Sequence, residues 1–192
     1  ESRTPLTGIK TMLFSLHHDE ASLPPSVRHE FLLSIDTELE YLNGLVGNLL
    51  DMSRIEAGTL TPRREWHVLD ELVEGAIQRV EVLLAGRPLH VHLSEHLPPI
   101  SVDGMQIQQV LVNLLDNAIK FSPPGSPIQL TAALTGELLE MRVSNIGEGV
   151  PAGELERIFD RFYRVQSGRS SGPPGTGLGL AICRGIIEAH GG

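Results

Sequence analysis

Asn113-Leu114-Leu115-Asp116-Asn117-Ala118-Ile119-Lys120-Phe121 reads as a helix with two kinds of surface. Leu111, Leu114 and Leu115 supply an apolar side, while Asn113, Asn117 and Lys120 stand at i, i+4 and i+7 and share one stripe. Asparagine is a poor helix former because its amide competes for nearby backbone groups, so two of them inside an apolar helix call for a local reason. Two amides and an amine in a row suit a polyphosphate held with a hard cation. An asparagine amide oxygen can ligate Mg²⁺, which takes few protein ligands and keeps phosphate oxygens and waters, and Lys120 would then supply a point charge to the phosphates. A polar stripe facing water is the plainer alternative.

Downstream lie two glycine turns. Asn145-Ile146-Gly147-Glu148-Gly149 follows an expected strand, and glycine at alternate positions lets backbone approach a flat ring without interference from a Cβ. Gly175-Thr176-Gly177-Leu178-Gly179-Leu180 precedes the last helix, whose exposed N–H groups and positive end suit phosphate. The spacing is not a dinucleotide-binding fingerprint, and no Lys-Ser/Thr of a Walker loop is present. Between the turns, Ile158 to Arg164 leads into Gln166–Pro174, rich in Ser, Gly and Pro. That stretch reads as a mobile lid anchored by Phe159 and Phe162, with Arg164 or Arg169 in reach of phosphate.

Upstream, Leu6, Ile9, Leu13 and Leu16 mark one helix, and Leu32, Ile35, Leu39, Leu42, Val46 and Leu49 mark a second with the a/d seam of a coiled coil. Two such helices cannot bury their seams alone, so a hairpin that pairs with a second copy as a four-helix bundle is expected. Packing of the hairpin on its own chain is the alternative. Thr61-Pro62 marks a linker after Gly58. Beyond it the pattern predicts a helix over 68–84, a strand over 89–93, a helix over 105–120, a hairpin of 128–134 with 138–144, and helices over 154–161 and 178–189. Helices interleaved with antiparallel strands predict an α+β layer, with helices on one face of a mixed sheet. The expected division is a helical hairpin over 1–59 and a nucleotide domain over 60–192.

Composition bounds the rest. The 192 residues are 41% hydrophobic, enough for a core in each of two small domains, and carry a net charge of −9, which argues against a nucleic-acid partner. One cysteine, Cys183, excludes an intrachain disulfide, fits a reducing compartment and reads as a small core residue of a helix rather than a reactive thiol. No apolar run is long enough to span a bilayer. The first residue already sits inside a helical pattern, and His190-Gly191-Gly192 follows a helix as though a strand were due, so the sequence reads as a fragment.

With these residues in view, the chain resembles sensor histidine kinases across nearly its whole length. Asn113 to Phe121 looks like their N box, Asn145 to Gly149 their G1 box, Phe159 to Phe162 their F box, and Gly175 to Leu180 their G2 box. Glu1-Ser2-Arg3-Thr4-Pro5 resembles the part of the phosphotransfer helix just after its acceptor histidine. Leu50 to Gly58, Trp66 and Ala181 to Ile186 look most like the KdpD-type potassium-responsive kinases.

The resemblance implies a helical-hairpin dimerisation and phosphotransfer domain followed by an α/β-sandwich ATP-binding domain of the histidine kinase/Hsp90 type. It implies ATP and Mg²⁺ as cofactors, with Mg²⁺ at Asn117 and nucleotide contacts from Asn113, Asn117, Lys120, Asn145, Gly147, Gly149, Phe159, Arg164, Gly175, Thr176, Gly177, Leu178 and Gly179. Glu1 would orient or deprotonate the adjacent imidazole, and Thr4 would place water during dephosphorylation of the regulator. The expected partners are a second copy of the chain and a response-regulator receiver domain, with the fragment cytoplasmic and its parent in the bacterial inner membrane. The acceptor imidazole would precede Glu1, so the fragment is not expected to phosphorylate itself. One position departs from the pattern, because the G1 box normally opens with Asp and this chain has Asn145. The rival readings are a module with a degenerate G1 box, or an Hsp90- or MutL-like ATPase gate. His90 and His92 share a strand face without an apparent third ligand, and no histidine is assigned to catalysis or metal.

Overall fold

The structure is a computed structural model that describes residues 3–18, 23–165 and 175–192. The chain divides into two compact units, residues 1–50 and 51–192. The first consists of α1 (Arg3–His18) and most of α2 (Pro25–Glu56). Pro25 opens α2 where a missing N–H costs nothing and its fixed φ suits a helix. Within this unit Ile9 and Ile35 are buried and Leu16 and Leu42 half-buried, but the seam positions Leu6, Leu13, Leu32, Leu39, Val46 and Leu49 are exposed. No described helix is long and apolar enough to cross a membrane.

The second unit begins with the last turns of α2 and continues through β1 (Glu65–His67), α3 (Leu69–Leu84), β2 (Leu89–Leu93), β3 (Ile100–Val102), α4 (Gly104–Lys120), β4 (Ile128–Thr135), β5 (Leu138–Asn145) and α5 (Gly179–His190). β2, β4 and β5 form a mixed sheet, β2 parallel and β5 antiparallel to β4, and β1 pairs with β3 as a separate antiparallel ribbon. The register Leu89↔Ile128↔Asn145 sets the last residue of β5 beside the first residue of β4. Along β4, Ile128, Leu130 and Ala132 are buried and alternate with outward polar residues, as a half-buried strand requires.

Leu69, Leu72, Val73, Ala76 and Val80 of α3 recur at helical spacing and meet Ile107, Leu111 and Leu115 of α4 over that inner sheet face. A second cluster joins Met52 of α2 to Val110 of α4 and to Leu178, Ile182 and Ile186. In it, Gly185 of α5 is so close to Ile55 that a Cβ there would stand 2.7 Å from the Ile55 Cδ1. α4 is therefore held on both flanks, which fixes the stripe carrying Asn113, Asn117 and Lys120. Its N-terminus is fixed as well. Asp103 caps it by accepting from the Gln106 N–H at 3.2 Å, and its own N–H donates to His190 Nε2 at the end of α5. His190 Nδ1 then carries the ring proton and donates to the Ile186 carbonyl at 2.8 Å.

One expectation needs correction, and two strands were not foreseen. The helix predicted over 154–161 is instead two short 3₁₀ turns, Ala152–Glu154 and Arg157–Phe159, followed by Phe162 at φ 59. Pro151 and Gly153 leave too short a run to propagate a helix, so i→i+3 bonds such as Asp160 N–H to the Arg157 carbonyl close the turns. The sequence also gave no signal for β1 and β3, whose three residues each complete barely one alternation.

Candidate functional site

Asn113 and Asn117 are half-buried on the flank of α4, and Lys120 lies exposed at its end. Asn113 Nδ2 donates to the carbonyl of Gly179 at 3.5 Å, joining the stripe to the start of α5. No hydrogen bond engages the side chain of Asn117 among the described residues. The Lys120 Nζ pairs with Asp116 Oδ2 at 2.5 Å, a partly exposed ion pair one helical turn back.

The first glycine turn meets the other end of α4. Asn145 Nδ2 donates to Ser122 Oγ at 3.1 Å, and Ser122 Oγ donates to the Ala118 carbonyl at 2.5 Å. A Cβ at Gly147 would lie 2.4 Å from the Phe121 carbonyl oxygen, an approach that glycine alone permits. Gly149, at φ 73, occupies the left-handed region that glycine adopts without strain.

The second glycine turn is tied to the aromatic segment. The Phe162 N–H donates to the Gly177 carbonyl at 2.9 Å, and a Cβ at Gly177 would stand 2.7 Å from the Phe162 carbonyl carbon. Thr176 Oγ1 accepts from the Leu178 N–H at 3.2 Å, and the Leu178 side chain is buried. Gly175 and Thr176 are half-buried. α5 begins at Gly179 with no side-chain cap and no acidic residue in its first turn. Its leading N–H groups therefore fit an anionic ligand, and the nearby amide of Asn117 fits a hard cation bound to that anion.

The aromatic anchors fare differently. Phe159 is 36% and Phe162 65% exposed, so neither ring is sunk in the core. The segment is held instead by the Phe162–Gly177 backbone bond, by an ion pair of Arg161 with Glu56, and by the Arg157 guanidinium 4.3 Å from the centre of the Tyr163 ring. Arg164 is exposed. Residues 166–174, including Arg169, lie outside the described residues, as does Glu1; Thr4 falls within α1.

Two neighbours of the site escaped the sequence reading. Ser122 is one, signalled only as a hydroxyl just past the end of α4. Cys183 is the other in its role, if not its burial: its thiol lies by Asn113 with Sγ 3.8 Å from the Val110 carbonyl, and burial pushes its pKa up to about 12, with the Asn113 hydrogen bond opposing. His90 and His92 border an open depression of about 330 Å³ on the outer sheet face with Gln129, Ser144 and Asn145. Among the described residues, no three His, Cys, Asp or Glu side chains gather as a metal site.

Comparison with known proteins matches the chain to two families. Residues 102–192 match the family described as histidine kinase-, DNA gyrase B- and HSP90-like ATPase, and residues 1–58 match the His Kinase A (phospho-acceptor) domain. The chain belongs to the sensor histidine kinases. The kinase core is 44% identical over 148 residues to the sensor protein KdpD of Escherichia coli K12, covering 77% of this chain and 16% of that protein. Among solved structures, the Acinetobacter baumannii histidine kinase AdeS is similar at 27% identity and TM-score 0.72, covering 97% of this chain and 85% of that one. Full-length ShkA in complex with AMPPNP is similar at 26% identity and TM-score 0.73, covering 98% of this chain and 39% of that one. The chain thus spans about one sixth of its KdpD relative.

Proposed function

We propose that this chain is the core of an ATP-dependent protein-histidine kinase, in which the γ-phosphoryl of ATP passes to a histidine imidazole on the helical bundle and then to an aspartate of a response-regulator receiver domain. The observation that carries the nucleotide half is the convergence on α4: Asn113 meets Gly179 at the uncapped start of α5, while Ser122 and Phe121 meet Asn145 and Gly147. Such an arrangement suits a nucleotide lying along the stripe, phosphates toward α5 and base toward Asn145. The presence of AMPPNP, an ATP analogue, on ShkA supports the same reading.

In this reading Asn117 holds Mg²⁺, which neutralises phosphate charge when bound. Asn113, Lys120, Arg164 and the turns at Gly147, Gly149, Gly175, Thr176, Gly177, Leu178 and Gly179 surround the nucleotide, and Phe159 borders it. Little covalent chemistry falls to the protein, so positioning does most of the work. Glu1 and Thr4 serve the imidazole and the hydrolytic water on α1. We take residues 1–59 as the dimerisation and phosphotransfer part and 60–192 as the nucleotide part, with a second copy of the chain completing the bundle. None of the eight histidines in the 192 residues is assigned as acceptor.

Titration with a fluorescent ATP analogue and Mg²⁺ tests the nucleotide reading. Saturable binding, lost or weakened at least about tenfold in Asn117→Ala, is expected; absence of saturable binding sinks it. Placing a histidine directly ahead of Glu1 in a longer chain tests the transfer. Radiolabel from γ-phosphate must then appear in an acid-labile, base-stable form that vanishes when that histidine is replaced.

A further inference from the structure

An amide is a two-ended probe: Asn145 presents an acceptor at Oδ1 and a donor at Nδ2, and a freely rotating amide offers a base either one. The end of α4 removes that choice. Ala118 is among the last four residues whose carbonyls a helix leaves without its usual partner, and the Ser122 hydroxyl spends its only proton on that carbonyl at 2.5 Å. Its oxygen can then only accept, and what it accepts is the Asn145 Nδ2–H at 3.1 Å. The Ile146 carbonyl, 3.4 Å from the same nitrogen, is a second group that only accepts. Reversing the amide would set Oδ1 against two acceptors. Nδ2 is therefore held at Ser122, and Oδ1 is turned away from both.

We propose that Ser122 is a positioning residue for base selection. By fixing the amide of Asn145 it leaves Oδ1 as the group a purine meets, so the site accepts a hydrogen bond from a 6-amino purine and rejects a 6-oxo purine. A carboxylate needs no such partner, because both of its oxygens accept; an amide at this position needs one. The inference rests on the reading that Asn145 borders the base.

The test is competition of ATP and of inosine triphosphate, which replaces the 6-amino group by a 6-oxo group, against a fluorescent ATP analogue on the full chain. The wild-type chain prefers ATP, and Ser122→Ala, freeing the amide to turn and donate, reduces that preference by about tenfold, the factor one hydrogen bond supports. Ser122→Thr, which keeps the hydroxyl, restores it. In an Asn145→Asp background, where no end can be exchanged, Ser122→Ala leaves the ATP-to-inosine ratio unchanged. Equal loss of both nucleotides in Ser122→Ala, or the same change of ratio in the Asp background, shows a merely structural serine and overturns the proposal alone. Failure of the wild-type chain to bind either nucleotide overturns the nucleotide reading and this inference with it.

Discussion

Cys183 shows how much a single side chain next to the site depends on its surroundings. Burial beside Val110 raises its pKa to about 12 against the opposing Asn113 hydrogen bond, so the folded chain holds the thiol proton more firmly than the unfolded chain does. The stabilisation is full below the unfolded value, 9.0, and is lost as pH rises through that value toward about 12. Over the whole window the loss amounts to roughly 4 kcal/mol at most. Urea midpoints measured across that alkaline range should fall, and Cys183→Ala should flatten the decline; parallel curves for the two chains would refute the assignment. The sequence announced a buried cysteine but not its neighbour, since Asn113 and Cys183 are far apart in the chain. Lys120 was legible as a cation on the right stripe, yet Asp116, four residues before it, was not weighed as its partner.

Elements were legible where the pattern repeats often enough to be counted. β2 appears over the predicted span, Leu89–Leu93, and α3, α4, β4, β5 and α5 fall within a residue or so of expectation because each carries several periods of apolar residues. The glycine turns were recognised by composition, but the reason for Gly147 is tertiary: it lets the chain after β5 pass the carbonyl of Phe121, just past the end of α4. A methyl there would stand 2.4 Å from the Phe121 oxygen, a backbone atom that cannot rotate aside. Gly147→Ala should therefore cost roughly 1–3 kcal/mol, lowering the melting temperature by several degrees and weakening binding of the fluorescent ATP analogue. Gly153→Ala is the matched control, since nothing lies within 4 Å of its Cβ position and its φ is not in the left-handed region. Equal melting temperatures for the two variants would show that the β5 turn yields where the geometry says it cannot.

At the scale of the whole molecule, the two parts of the chain bury their apolar residues to different extents. In residues 51–192 the inner faces of α3, α4, α5 and the sheet close on one another, whereas α1 and α2 keep most of their seam open. Leu39 and Val46, at the 3-4 spacing of a coiled coil, are 46% and 56% exposed in a single chain. A stripe of this kind, running the length of α2, is more apolar surface than a lone helix hairpin leaves in water without cost. A second copy of the same hairpin presents the same stripe, so a symmetric four-helix bundle buries both at once. Sedimentation equilibrium at micromolar concentration should accordingly give twice the chain's mass. Leu39→Glu combined with Val46→Glu sets like charges at the seam and should return the single mass, with a loss of helical circular dichroism from the hairpin but not of nucleotide binding by residues 51–192. A wild-type chain that sediments as a single copy would mean that the exposed seam is covered in some other way.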